Sequence, residues 1–307
     1  MISMVVPTRN RAHTLRLVGP SYFEQALVTE LIFVDDAGDD DTEAIIAGIA
    51  SAYPEKTVHV IRNKDRLGAS RSRNIGVARC SNAFVLFCDD DEYLEPDYAA
   101  VCLSKLEEHN AGAVSGRRIY MHTGETREQA TQRFGVGMRR SKPFRPWLCE
   151  YVNGAIFSGD IHLPITNAVI LTRRSLVQRY PFDGFYSRGN GYREETDFQM
   201  NLFVNGHAIY VTNACHSLHL PLAQVRHGGQ RTAMLKRIYW SVYYTRYFFG
   251  KYYHRYAARL GLTAPRWFAL TAFGIFAVYR ELVRPPLYRI AIWMMSRRAQ
   301  LSHAASI

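Results

Sequence analysis

Ala83-Phe84-Val85-Leu86-Phe87-Cys88-Asp89-Asp90-Asp91-Glu92-Tyr93-Leu94-Glu95-Pro96-Asp97 reads as a buried strand that runs into acid. Phe84 to Cys88 is an unbroken apolar run, the mark of a strand covered on both faces of an open sheet. Asp89, Asp90, Asp91 and Glu92 follow in succession, and like charges this close repel. A solvated loop is the plain explanation for such a run. Its position argues for a site, because open α/β sheets bind ligands beyond the carboxyl ends of their strands. Carboxylates there suit a hard divalent cation, Mg²⁺ or Mn²⁺, that itself holds a substrate phosphate.

Working outward, Ile2–Val6, Leu31–Val34 and Val58–Ile61 read as further strands. The second also ends in acid, at Asp35 and Asp36. Leu15 to Leu27 reads as a helix interrupted or kinked at Gly19-Pro20, and Thr42–Ala52 and Ser70–Ala78 read as helices. Strands that alternate with helices, each strand closing on polar residues, predict an α/β fold with a Rossmann-like, mostly parallel central sheet. The first turn lacks Gly-x-Gly-x-x-Gly and no Walker-type Gly-Lys-Ser/Thr occurs, so phosphates have no glycine-rich cradle. A metal and guanidinium groups would take its place.

Composition narrows the classes. The 307 residues are 48% hydrophobic, enough for a real core, and the formal net charge of +11 calls for an anionic partner or neighbour. Five cysteines, an odd number without a Cys-x-x-Cys pair, speak for reduced buried thiols in a cytosolic setting. The chain enters a strand at once, so no export signal is expected.

Val5-Val6-Pro7-Thr8-Arg9-Asn10, Val34-Asp35-Asp36, Asn63-Lys64-Asp65-Arg66-Leu67-Gly68 with Arg73-Asn74, and Asp89-Asp90-Asp91 together resemble the ordered motifs of family 2 glycosyltransferases with the GT-A fold. Each piece is weak alone; the ordered set is specific. The resemblance implies that Pro7 and Arg9 line a nucleotide pocket and that Asp36 contacts the base. Asp65 and Arg73 would border base and diphosphate, Asp89 would hold the ribose with Asp90 beside it, and Asp91 would ligate the metal. A solvent-facing helix position is the alternative for Arg73.

Tyr192-Arg193-Glu194-Glu195-Thr196-Asp197-Phe198 is the second constellation. Acids at a helix start are commonplace, because negative charge is favourable there. The sequence also resembles the family's Glu-Asp-x-Asp motif, which puts Glu195 at the catalytic-base position with Glu194 as the neighbouring alternative. Asp197 would orient or cap. After the short strand Ile209–Val211, the resemblance makes His219 a metal ligand, with His216 the alternative. Arg226, His227, Gly228, Gly229 and Arg231 would close over the diphosphate. Residues 121–150 read as an irregular acceptor-side loop, where Trp147 and Tyr151 either stack on a sugar or pack in the core.

The tail carries an aromatic stripe, Tyr239, Trp240, Tyr243, Tyr244, Tyr247, Phe248, Tyr252 and Tyr256, at helical spacing, with Lys251, Arg255 and Arg259 on a neighbouring face. It reads as an in-plane surface on an anionic leaflet, with a packed helical cap as the alternative. Pro285-Pro286 and Arg289 are expected to break the helix beyond it. The organisation expected is a GT-A domain over 1–232, with a nucleotide half over 1–111 and an acceptor half over 112–232, then a helical extension over 233–307. The function implied by the resemblance is metal-dependent, inverting transfer of a sugar from a nucleotide-diphosphate donor, UDP preferred. The acceptor would be a hydroxyl of a glycan or polyprenyl-linked glycan in envelope polysaccharide synthesis, at the cytoplasmic face of the inner membrane. Gln-x-x-Arg-Trp is absent, so single-sugar transfer is expected. A nucleotidyltransferase on a related fold would carry a glycine-rich first loop, which Pro7 to Arg11 lacks. A nucleic-acid binder would leave the acid clusters unexplained, and no nucleic-acid partner is expected.

Overall fold

Ile2–Thr8 (β1), Val28–Asp35 (β2), Thr57–Arg62 (β3) and Phe84–Phe87 (β4) pair in parallel in the order β3-β2-β1-β4. The structure, a computed structural model, describes residues 1–137, 140–225 and 233–287. Glu92–Leu94 (β5) and Ala113–Tyr120 (β6) follow; Phe144–Arg145 (β7) and Glu150–Tyr151 (β8) make a separate ribbon. Asp160–His162 (β9), Ile170–Arg173 (β10) and Ile209–His219 (β11) complete the main sheet, which continues β4-β10-β6-β11-β5 with β9 also on β11. β10 runs antiparallel to both neighbours, whereas β6 and β11 are parallel.

The helices are Ala12–Val18 (α1), Pro20–Phe23 (α2), Thr42–Ala50 (α3), Ala69–Arg79 (α4), Tyr98–Glu108 (α5), Arg127–Arg133 (α6) and Arg174–Arg179 (α7). Glu194–Val204 (α8), Met234–Leu260 (α9) and Arg266–Val278 (α10) follow. Strand side chains alternate between two cores, as the period of two requires. Ile2, Met4, Val6, Phe33 and Leu86 meet α1, α2, α3 and α5 through Leu15, Tyr22, Ile46 and Leu106. Val5, Ile32, Val34, Val85 and Phe87 meet α4, α7, α8 and α9 through Val77, Val177, Phe198 and Phe248. Each of these buried side chains contributes about 1.5–3 kcal/mol. At Gly76 a Cβ would lie 2.5 Å from Val5 Cγ1, so α4 needs glycine there to reach the sheet.

The interruption expected at Gly19-Pro20 is observed: Gly19 N closes the first helix on Leu15 O at 2.8 Å and Pro20 opens the next, which ends at Phe23. Three expectations change. The strand expected over Ile209–Val211 runs on to His219 across a register shift, so both candidate histidines lie on β11. The stretch 121–150 contains α6, started by a capping box in which Thr126 Oγ1 accepts from Gln129 N and Gln129 Oε1 accepts from Thr126 N. Helical backbone passes through Pro285-Pro286 to residue 287. A π turn over Tyr279–Val283 precedes them in an unbroken helical run.

The aromatic stripe is not a leaflet surface over most of its length. Tyr244, Phe248, Tyr252 and Tyr256 are buried, and the last three join the core that holds Val5 and Phe87. Tyr239 and Tyr243 stay exposed. Lys251, expected at headgroups, instead pairs with Asp183 and Asp197. The second tail helix behaves differently: Ala269, Phe273 and Ala277 face inward, while Trp267, Phe268, Ile275 and Val278 are exposed. Among the described residues no helix is long and apolar enough to cross a membrane. The Arg226–Arg231 loop and Arg289 lie outside the described residues.

Candidate active site

The parallel strands deliver their acids to one edge. Pro7, one residue before the end of β1, is in register with Val34, and Asp36 N bonds Thr8 O at 2.8 Å. Arg9 is exposed beside them, its Nε 3.4 Å from Ala37 O. The Asp36 carboxylate is buried and accepts from Leu67 N (2.7 Å), Gly68 N (2.8 Å) and Asn63 Nδ2 (2.9 Å). It therefore brackets the loop that carries the exposed Asp65, with lone-pair capacity left on Oδ2.

Arg73 is 2% exposed, so the solvent-facing alternative is excluded. From α4 it pairs with Glu194, with Asp89 Oδ1 at 2.9 Å and with Glu195 Oε1 at 3.2 Å. One buried guanidinium thus joins the end of β4 to the start of α8. Burial pushes Asp89 up, but Arg73 and Arg118 outweigh it and hold the carboxyl below its ordinary value. Arg118 Nη2 lies 3.1 Å from Asp89 Oδ2 and also pairs with Glu92. Burial drives Glu194 up to about 8, because the apolar surroundings disfavour its charge more than Arg73 favours it. Glu195, by contrast, has a side chain 28% exposed, so it is the one of the two glutamates that opens toward solvent.

The other acids sit close together. Arg11 Nε is 3.6 Å from Asp90 Oδ1 and its Nη2 is 4.0 Å from Asp91 Oδ2. Asp90 is pushed up to about 7, by burial first and by Asp91 next to it, against the pull of Arg11. Asp91, Glu92 and His219 place one ligand atom each within 4.8 Å of one another. His219 Nδ1 lies 2.6 Å from Leu220 O and donates to it, which leaves Nε2 as the bare nitrogen, 3.6 Å from Asp91 Oδ1. Burial lowers the His219 pKa, so the ring is neutral, as a ligand must be. Two carboxylates and an imidazole with its lone pair turned inward fit a divalent cation such as Mn²⁺. His216 is not part of this group: Nδ1 meets Glu95 Oε2 at 2.9 Å and Nε2 meets Arg117 Nη2 at 3.3 Å.

Aromatic and basic side chains continue along β6 and beyond it. Arg117 lies over Phe134 (4.6 Å) and Phe157 (5.3 Å), and Tyr120 leans on His219 at 5.0 Å. Trp147 is partly packed, edge-on to Phe268 at 6.1 Å. Sequence reasoning passed over Arg11, Arg117 and Arg118. The tandem Arg117-Arg118 inside an otherwise buried strand was the available signal, since a strand turns adjacent side chains to opposite faces.

Residues 3–177 match the family model for glycosyl transferase family 2. The chain belongs to glycosyl transferase family 2. An uncharacterized glycosyltransferase of Bacillus subtilis, YwdF, is 31% identical over 107 residues, 34% of this chain and 38% of that protein. The succinoglycan biosynthesis protein ExoO of Rhizobium meliloti is 27% identical over 97 residues, 31% of this chain and 27% of that one. The family 2 chain thus spans well under half of the curated relatives it matches, 38% of YwdF and 27% of ExoO. In fold it resembles Staphylococcus aureus TarS 1-349 in complex with UDP-GlcNAc, with a TM-score of 0.58 at 14% identity over 91% of this chain and 72% of that one. It also resembles the mannosyltransferase PcManGT of Pyrobaculum calidifontis in complex with GDP-Man and Mn²⁺, with a TM-score of 0.57 at 16% identity over 98% and 80%. The expected GT-A architecture is the one observed.

Proposed function

We propose that this chain transfers a sugar, with inversion, from a nucleoside diphosphate donor to a hydroxyl of a glycan acceptor. The observation that carries the reading is the buried Arg73, which holds Asp89 of the strand-end acids and Glu195 of α8 around one space. Pro7, Arg9, Asp36 and Asp65 border the nucleotide in this reading, with Asp89 and Asp90 toward the ribose. Asp91 and His219 would hold the cation. When bound, the cation neutralises charge on the leaving diphosphate. Glu195 Oε accepts the acceptor hydroxyl's proton while that oxygen bonds to the anomeric carbon and the carbon–diphosphate bond breaks. Glu194 is buried and turned into Arg73, out of an acceptor's reach, whereas Glu195 opens toward solvent.

Calorimetric titration with UDP, with and without Mn²⁺, tests the reading. Metal-dependent micromolar binding is expected; absence of binding to UDP, GDP, CDP and TDP alike overturns it. UDP is the preferred nucleotide, and the relation to ExoO favours envelope polysaccharide as the product.

The acceptor in this reading is lipid-linked and met at an anionic membrane surface on the cytoplasmic face. Support comes from the outer face of α10, where Trp267 and Ile275 are 67% and 68% exposed. A groove of about 570 Å³ between α9 and α10 adds Arg246 and Arg266 beside Phe185, Tyr243 and Tyr247. Binding to phosphatidylglycerol vesicles, against phosphatidylcholine, is the check; equal binding to both overturns the anionic requirement.

A further inference from the structure

Arg193 precedes the two glutamates and has φ 74°, ψ 11°, a left-handed backbone that residues other than glycine rarely adopt. Gly189 and Gly191 nearby turn the same way with no side chain to strain. An arginine in that conformation needs a compensating role for its side chain. The guanidinium is buried and spread over separate elements. Nε donates to Thr245 Oγ1 of α9 at 2.8 Å, Nη1 to Cys149 O at 2.8 Å and Nη2 to Leu148 O at 2.9 Å. Its faces lie 4.8 Å from the Phe248 ring of α9 and 4.9 Å from the Phe273 ring of α10. Among the described residues no carboxylate pairs with it, so neutral carbonyls, a hydroxyl and ring faces hold the cation.

The backbone completes the link. Arg193 O accepts from Asp197 N at 2.8 Å, a first-turn hydrogen bond of α8. One residue thus fixes that turn at its carbonyl and clamps it, at its other end, to α9, α10 and the 146–148 turn. A second tie lies one turn on, where Asp197 accepts from Lys251 Nζ (2.9 Å) and Tyr252 OH (3.1 Å) of α9. Glu195 sits between the two ties.

We infer that Arg193 is a positioning residue for Glu195, anchoring the first turn of α8 to the C-terminal helices and making those helices part of the catalytic scaffold. This rests on Glu195 being the base. A planar, five-donor fork suits the task, and lysine offers neither the fork nor the stacked faces. Misplacing the base by about 1 Å is enough for a loss on the order of 10²-fold.

The experiment compares wild type with Arg193→Gly, which keeps the left-handed turn and removes the side chain, and with Thr245→Val, which removes one anchor. Transfer rate is counted per UDP-binding molecule, so loss of folded protein does not register. Expected are a kcat lower by on the order of 10²-fold in Arg193→Gly, a smaller fall in Thr245→Val and an unchanged UDP Kd. Hydrogen exchange at Asp197 to Met200 is expected to quicken in both. Unchanged kcat per binding molecule, or unchanged exchange at those amides, overturns the inference. Glu195→Gln is run in parallel. If it transfers at the wild-type rate, the base assignment falls alone, and the exchange comparison decides the anchoring by itself.

Discussion

The acids at the end of β4 and those at the start of α8 meet at one guanidinium, yet they reach it by different routes. Asp89 to Asp91 follow a buried strand, so the sheet itself carries them to the edge where parallel strands end. Glu194 and Glu195 open a helix that has no such rail. Arg73 comes to them from α4 and Arg193 ties them to α9 and α10, all distant in the sequence. Strand-end chemistry is therefore positioned by local pattern, and helix-start chemistry by tertiary contacts. The contrast also separates two adjacent glutamates: Glu194 is buried against Arg73, Glu195 opens outward.

The sharpest break of that contrast is Glu195→Gln, expected to lower kcat by about 10²–10⁴-fold with UDP binding unchanged, read by steady-state kinetics and calorimetry. The same change at Glu194 should fall mainly on folding rather than turnover; equal kinetic losses would erase the distinction. Arg73→Ala removes the cation shared by both regions and leaves buried carboxylates uncompensated. A loss of about 3–5 kcal/mol in urea unfolding is expected. At the strand end, Asp91→Asn should weaken Mn²⁺-dependent UDP binding by about 10–100-fold, measured as the Mn²⁺ concentration for half-maximal binding.

A pH series compares the regions through their protons. Glu194, Glu92 and Asp90 are raised to about 8, 8 and 7 from ordinary values of 4.5, 4.5 and 3.8. A raised acid keeps its proton in the folded state after the unfolded chain has lost it, so stability falls as pH climbs between those values. Asp89, held low, works the other way, and its contribution is lost as pH falls through its folded value. Metal-free protein should therefore unfold at lower urea near pH 8 than near pH 5, and Glu194→Gln should flatten that slope. The smallest effect belongs to the outer face of α10: Trp267→Ala should alter stability by less than about 0.5 kcal/mol while reducing anionic vesicle binding.

Much of this was legible in one dimension. The apolar runs of β1, β2 and β4 and the acids that close them announced a parallel sheet with a site at its edge, because backbone periodicity and strand polarity are local properties. The ordered motifs through Asp91, and the roles of the acids of α8, came instead from their resemblance to family 2 glycosyltransferases. The exposure difference between Glu194 and Glu195 was not legible, nor was the burial of Arg73, because an α4 guanidinium meets α8 only after the sheet has folded. The aromatic stripe of α9 shows the limit plainly. Its spacing specifies a helix with one apolar face and says nothing of what covers that face. Tertiary packing put Phe248, Tyr252 and Tyr256 against the core that holds Val5 and Phe87 and left α10 to present Trp267 and Ile275 outward. Sequence determined the elements and the chemistry at their ends; only the fold decided which charges share a buried space, because that depends on contacts between residues far apart in the chain.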